Sequence, residues 1–293
     1  MKPYLVTPDI IESYLETGHW SQDTMLDRYA AYASEIPDRM ACIDGTGSFT
    51  WSQLDAASTR VAARLIELDL PRDSTALFQI PSSCREIVFR VALKKAGIIG
   101  VFAPLQWRRK ELAYVWDRIE PGLVVVSSGH TEIEAVNWLN DNSAHCVRVD
   151  VGNAPLDGWT GWDELLETSP GQGVVEQIAQ RAFRFDEISL VTASSGTSGL
   201  AKLCEWPEGA QLCQSRVLCE RMEITSDDRI GIFAPTAGAA GLMMWMASWT
   251  VPCSCVFPDN YRASTILDLA EQSGVTVGTT VPVILVRLSQ EPF

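Results

Sequence analysis

The sequence predicts an α/β protein whose parallel-sheet layers are flanked by helices. Short runs of Val, Ile, Leu and Ala alternate along the chain with segments in which apolar residues recur every three or four positions. The short runs are apolar throughout, as in parallel strands that are covered on both faces. With 46% hydrophobic residues in a chain of 293, there is enough apolar surface for one large core or two smaller ones.

The first elements are a helical region and a hairpin. Residues 9–40 carry an apolar stripe at helical spacing, and Pro37 ends it. Short strands on either side of a Gly-Thr-Gly turn at 45–47 predict a hairpin. Thr50 and Gln53 have the spacing of a capping box, in which each side chain bonds the other residue's backbone amide, so a helix is predicted to start there.

Strands and helices then alternate as far as residue 151. The predicted strands and helices are STALFQI, CREIVFRVALKKA, the apolar run after Gly97, KELAYVWDRIE, GLVVVSS, AVNWLND and HCVRVDV. Residues 153–184 are rich in Gly, Pro, Asp and Trp, and we interpret them as a linker. The predicted first subdomain is therefore 1–185, and the second, 186–293, starts with the strand EISLVTA.

Composition excludes several classes of function. A net charge of −14 argues against a nucleic-acid partner, because phosphate neutralisation needs clustered Lys and Arg. The eight cysteines form no C-x-x-C pair, which favours free thiols in a reducing cytoplasm over a zinc site. Residues 230–258 carry no charge, but Pro and Gly interrupt them, so we predict a strand, loop and core helix rather than a membrane span.

The segment SSGTSGLAK, residues 194–202, directly follows the strand EISLVTA. Glycines let several backbone amides point at one anion, hydroxyls add donors and a lysine adds positive charge. The segment lacks the Gly-Lys-Ser/Thr of a P-loop and the G-x-S-x-G of a nucleophile elbow. An ordinary Gly/Ser-rich turn is the alternative. The predicted phosphate-binding residues are Ser194, Ser195, Gly196, Thr197, Ser198, Gly199 and Lys202.

Residues 191–202 resemble the signature loop of the acyl-adenylating (AMP-forming) synthetase superfamily, which typically reads Ser-Gly-Thr-Thr-Gly, a variable residue, Pro and Lys. Here Ser198 replaces the second Thr and Ala201 the Pro. The segments FTWSQL, RIGIFAPTAGAAGL and GVTVGTTVPVILVRL resemble further parts of this family, most closely the aryl-acid AMP ligases and acyl-CoA synthetases. The resemblance implies that the loop holds the β- and γ-phosphates of ATP with Mg²⁺. A carboxylic acid would become acyl-AMP and then pass to CoA or a carrier-protein pantetheine.

The motif PTAGAAG at 235–241 resembles the wall of the family's acyl pocket. Relatives commonly carry His or an aromatic residue at the position of Gly238, and the dihydroxybenzoate type carries Asn at Ala239. Without a side chain that binds a hydroxyl, a site cannot select strongly for one, so we predict an apolar acid, aromatic or alicyclic. A small-residue packing turn is the alternative. The implied substrate-binding residues are Gly238, Ala239, Ala240 and Gly241.

Family members are nearly twice as long as this chain. The resemblance therefore leaves the second subdomain incomplete, without the adenine, magnesium and ribose motifs or the C-terminal catalytic lysine. Three interpretations stay open: a fragment, one half of an enzyme that a second polypeptide completes, or a truncated non-catalytic binding subunit. A Ser-Ser-Lys amidase, with Ser194 or Ser195 as nucleophile and Lys94 or Lys95 as base, is a further alternative.

Overall fold

A computed structural model describes residues 6–167, 169–194 and 201–291. The helices are α1 (Pro8–Glu16), α2 (Met25–Glu35), α3 (Trp51–Glu67), α4 (Cys84–Ala96), α5 (Arg109–Ile119), α6 (Ile133–Asn142), α7 (Trp162–Glu167), α8 (Gln172–Arg181), α9 (Glu208–Met222), α10 (Ala239–Met246), α11 (Ala263–Ser273) and α12 (Pro282–Gln290). The strands are β1 (Met40–Asp44), β2 (Gly47–Thr50), β3 (Thr75–Gln79), β4 (Ile99–Phe102), β5 (Leu123–Val126), β6 (Val147–Asp150), β7 (Thr160–Gly161), β8 (Ile188–Ala193), β9 (Leu203–Pro207), β10 (Arg229–Phe233), β11 (Ser254–Phe257) and β12 (Val277–Thr280). A short 3-10 helix, Ala247–Trp249, follows α10.

A seven-stranded sheet has the order β7-β6-β5-β3-β4-β8-β9. Its strands pair in parallel except for β9, which runs antiparallel to β8. Strands β3, β4 and β5 are almost entirely buried, which explains why they read as unbroken apolar runs. Their side chains form one core with those of the helices and loops around them: Leu77, Val101, Ala103, Leu112, Val115, Val124, Val126, Ala135, Leu139 and Trp159.

A five-stranded sheet has the order β12-β10-β11-β1-β2. It too is parallel apart from one antiparallel edge strand, β2, which forms the predicted hairpin with β1. Asp44 fixes the hairpin turn, because its Oδ1 accepts hydrogen bonds from the amides of Thr46 and Gly47 at 2.8 and 3.0 Å. The fold class predicted from the sequence is confirmed by these two largely parallel sheets and their helices.

The chain forms two compact units whose segments interleave. One unit comprises Met1–Ile11, Ala56–Pro81 and Val88–Glu208, and the other comprises Glu12–Asp55, Ser82–Ile87 and Gly209–Phe293. These units do not follow the predicted division into 1–185 and 186–293, because β8 and β9 join the sheet of β3 to β7. The predicted linker 153–184 also contains β7, α7 and α8, and β7 extends that sheet beyond β6.

Several local predictions are confirmed. Thr50 and Gln53 form the capping box, since the Thr50 amide donates to Gln53 Oε1 at 2.9 Å and the Gln53 amide to Thr50 Oγ1 at 3.3 Å. Helix α4 ends before Gly97, whose φ of +68° suits glycine. All eight cysteines lie in the described ranges as free thiols, and five of them are buried.

One local prediction needs correction and another is confirmed. The helical region 9–40 is two helices, because Gly18 turns at a φ of +70° and a capping box of Thr24 and Asp27 begins α2. The uncharged stretch 230–258 forms β10, α10, the 3-10 helix and β11, as predicted. Within the described ranges, no helix is long and apolar enough to cross a membrane.

Candidate functional site

The predicted phosphate loop is closed at its base by two hydrogen bonds. The Ser194 amide donates to the Lys202 carbonyl, and the Lys202 amide donates to Ser194 Oγ, both at 2.9 Å. Just below them, Ala193 pairs with Leu203 in the antiparallel ladder of β8 and β9. The structure thus brings Ser194 and Lys202 together; Ser195, Gly196, Thr197, Ser198 and Gly199 lie outside the described residues.

The loop base lies at the carboxyl end of β8, and this is the end of a parallel strand at which open α/β sheets bind ligands. Strand β8 is held by parallel pairing to β4 and antiparallel pairing to β9. Lys202 is exposed, so its ammonium group is available to an anion in solution. Ser194 Oγ accepts from the Lys202 amide and still has a hydroxyl proton to donate. Both residues therefore suit the binding of phosphate.

A buried ion pair supports β8 from within the same unit. Lys94 of α4 pairs with Glu208, the first residue of α9, and its Nζ donates to Ser189 Oγ at 2.9 Å. The Ser189 hydroxyl also donates to the Glu208 carboxylate. Burial lowers the pKa of Lys94, and the negative charge of Glu208 opposes that shift. The pair thereby joins α4, β8 and α9.

These contacts do not favour the amidase alternative. Lys94 bonds Ser189, which lies five residues before Ser194, roughly 16 Å away along an extended chain. Lys95 Nζ donates to Thr59 Oγ1 at 2.8 Å. Both ammonium groups are thus in buried hydrogen-bonded networks, whereas a Ser-Ser-Lys base must contact its nucleophile.

The predicted acyl-pocket residues lie where the turn from β10 enters α10, since Ala239, Ala240 and Gly241 are the first three residues of that helix. The Gly238 amide donates to the Pro235 carbonyl at 3.0 Å, and Gly238 is the N-cap of α10. Gly238 and Ala239 are exposed and Ala240 is half-buried, whereas Gly241 is buried. Their small side chains offer no hydrogen-bonding group, so backbone and methyl groups make up this surface.

Gly241 has a packing role that is visible in its surroundings. A Cβ atom added there would lie 2.3 Å from the Ala234 carbonyl oxygen and 2.6 Å from the Pro235 carbonyl carbon. We expect Gly241→Ala to lower the free energy of unfolding by about 1–3 kcal/mol, because the backbone must shift. Urea unfolding monitored by circular dichroism measures this change.

Gly238→Ser is the matched control, since an added Cβ comes no closer than 3.4 Å to the Pro235 carbonyl oxygen and serine is a favoured N-cap. We expect its stability to stay within about 0.5 kcal/mol of the wild type. Equal stability of both variants would contradict the packing role of Gly241.

Sequence reasoning missed the polar residues that contact this turn. Thr236 and Glu86 are each 1% exposed, and the Thr236 hydroxyl donates to the Glu86 carboxylate. The available signal was a glutamate directly before the apolar run Ile87–Phe89 in the first turn of a helix, because a carboxylate that is buried there needs a partner. That partner lies about 150 positions away along the chain and so could not be identified from local pattern.

The chain matches one family model, and the relatives that it matches in sequence include ligases. The family model described as AMP-binding enzyme matches residues 29–293. The salicyl-AMP ligase / salicyl-S-ArCP synthetase of Mycobacterium tuberculosis is 26% identical over 94% of this chain and 50% of its own length. The medium-chain fatty-acid–CoA ligase of Escherichia coli is 24% identical over 90% of this chain and 47% of its own length.

Solved structures support the same fold. The apo structure of MbtA from Mycobacterium smegmatis aligns with a TM-score of 0.85 and 22% identity, over 95% of this chain and 52% of that one. This chain therefore spans about half the length of the relatives that it matches.

Proposed function

Because this chain belongs to the AMP-binding enzyme family, we propose that it is the N-terminal portion of an AMP-forming acid:thiol ligase. Such an enzyme activates a carboxylic acid with ATP to acyl-AMP and then forms a thioester. The observation that carries the proposal is the closed loop base, in which Ser194 and Lys202 are hydrogen-bonded at the carboxyl end of β8. Both ends of a Gly/Ser/Thr-rich loop are thereby held at a position suited to an anion.

Lys202 is proposed to bind the terminal phosphates of ATP, because its exposed ammonium group can approach them directly. Ser194 would donate its hydroxyl to a phosphate oxygen, and the backbone amides of residues 195–199 would contribute further donors. Mg²⁺ would arrive with ATP and neutralise phosphate charge. The role of these residues is to hold the pyrophosphate leaving group while the carboxylate attacks the α-phosphate.

The acid is proposed to be apolar, either aromatic or alicyclic. Gly238 and Ala239 are exposed where the turn from β10 enters α10, and neither can bond a ring hydroxyl through its side chain. A hydroxyl buried there without a partner would cost about 1–3 kcal/mol. The acceptor is proposed to be CoA or a carrier-protein pantetheine, and the free, mostly buried thiols favour a cytoplasmic location.

Activity is proposed to require residues beyond those matched here, because the chain covers about half of its relatives. A second polypeptide is one source of those residues. The same observation favours a second candidate function, a non-catalytic subunit that binds nucleotide or acid without adenylating it.

Exchange of labelled pyrophosphate into ATP tests the proposal, since it requires adenylation alone. We expect the chain to support acid-dependent exchange when the polypeptide encoded immediately downstream is added, and little exchange without it. Benzoate should be preferred over 2,3-dihydroxybenzoate by about tenfold, because no side chain of the turn bonds the hydroxyls. Omission of the acid is the control.

Nucleotide binding without exchange, across a panel of aromatic, alicyclic and fatty acids, would favour the non-catalytic subunit. Absence of both binding and exchange would contradict the proposed function altogether.

A further inference from the structure

A chain of hydrogen bonds crosses the second unit beneath the β10–α10 turn. The Tyr261 hydroxyl bonds Ser82, and burial raises the pKa of Tyr261 to about 12. Ser82 Oγ lies 2.8 Å from Thr236 Oγ1 and accepts from the Thr236 amide at 2.9 Å. The Thr236 hydroxyl donates its one proton to the Glu86 carboxylate. In the hydrogen bond between the two hydroxyls, Ser82 is therefore the donor and Thr236 the acceptor. Successive bonds of this kind strengthen one another.

The carboxylate that Thr236 bonds is fully buried, and its position in the fold stabilises its charge. Glu86 is 1% exposed and lies in the first turn of α4, where the positive end of the helix dipole stabilises a negative charge. Hydrogen bonds to a charged group are the stronger kind in proteins. Thr236 is held at two atoms, its amide by Ser82 and its hydroxyl by Glu86, and its neighbour Pro235 bonds Gly238.

We propose that Glu86 and Thr236 are positioning residues, which hold the turn 235–238 in the conformation that presents Gly238 and Ala239 to the acid. The inference rests on the proposed function of this turn. Neither residue contacts substrate in this role, because both are buried. They act by fixing the backbone that carries Gly238 and Ala239. They therefore set the affinity for acid and leave the affinity for ATP unchanged.

The first test is hydrogen exchange measured by mass spectrometry on the full chain. Thr236→Val removes the hydroxyl but keeps the shape, and we expect amides 236–242 to exchange about tenfold faster. Thr236→Ser restores the hydroxyl and should return the rate close to that of the wild type. Peptides over β3 and β5 are the internal reference and should not change. Unchanged exchange in Thr236→Val, or equal acceleration in Thr236→Ser, would overturn the proposal.

A second variant covers the case in which Thr236→Val does not fold. Glu86→Gln keeps an acceptor for the Thr236 hydroxyl but removes the charge, so we expect a smaller acceleration confined to the same amides. No change in the exchange of Glu86→Gln would then overturn the proposal.

The second test separates positioning from a merely structural role. In pyrophosphate exchange with the completed enzyme, Thr236→Val should raise the KM for acid about tenfold and leave the KM for ATP unchanged, and Thr236→Ser should restore both. Faster amide exchange with an unchanged KM for acid would overturn the positioning role. An inactive wild type would contradict the proposed function, while amide exchange would still decide whether the two residues hold the turn.

Discussion

Lys202→Ala is expected to weaken the binding of Mg-ATP by about tenfold to a hundredfold. A charge-assisted hydrogen bond contributes about 1.5–3 kcal/mol, and each 1.4 kcal/mol is a factor of ten in affinity. The hydrogen bonds that close the loop base use the Lys202 backbone, so the variant removes the ammonium group without removing them. Isothermal titration calorimetry with Mg-ATP measures the change.

Lys110→Ala is the matched control, because Lys110 is also an exposed lysine but belongs to a different element, α5. It should bind Mg-ATP as the wild type does, and Lys202→Arg should retain part of the affinity. Equal affinities for wild type and Lys202→Ala would remove Lys202 from the phosphate site.

Lys94→Met is expected to lower the free energy of unfolding by about 3 kcal/mol or more. The side chains of Lys94 and Glu208 are 6% and 1% exposed, and loss of one partner leaves the other charge buried without its counterion. Glu208 Oε2 already has no hydrogen-bond partner among the described residues, which increases that cost. Urea unfolding followed by circular dichroism provides the measurement.

Two further variants test the physical reason. Replacement of both partners, Lys94→Met with Glu208→Leu, should recover most of the lost stability, because neither charge of the pair is then left buried without the other. Arg28→Ala breaks an exposed pair with Asp23, at 45% and 49% side-chain exposure, and should cost less than about 1 kcal/mol. If the double variant were no more stable than Lys94→Met, the buried charge would not be the cause.

Local features of the fold were predictable because their causes are local. The capping box of Thr50 and Gln53 needs residues three positions apart, and the end of α4 needs only Gly97. Sheet membership was not predictable in this way. Pairing of β1 with β11 depends on residues more than 200 positions apart, and β9 joins the first sheet only because it returns along β8.

The candidate site likewise has features that local sequence predicts and features that depend on distant residues. The order of residues 194–202 was enough to predict a phosphate loop, since the chemistry lies within nine positions. Gly241 was predicted to line a pocket, but its contact with the Ala234 backbone depends on how α10 packs. The bonds that link Glu86, Thr236 and Ser82 join distant segments, so only the three-dimensional structure brings them together.

The interleaving of the two units has a consequence for the order in which the protein forms on the ribosome. Every strand of the seven-stranded sheet has been made once residue 207 is synthesised, whereas the five-stranded sheet needs strands up to residue 280. The Met40 carbonyl accepts a hydrogen bond from Ser254 Oγ, which is 214 positions later in the chain. At 5–20 residues per second, synthesis of the intervening residues takes roughly 10–40 s. During that interval β1 of the hairpin lacks its neighbour β11, and an unpaired strand edge is prone to aggregation. Chaperone binding to the nascent chain is therefore expected at the N-terminal hairpin, and it should end when β11 emerges.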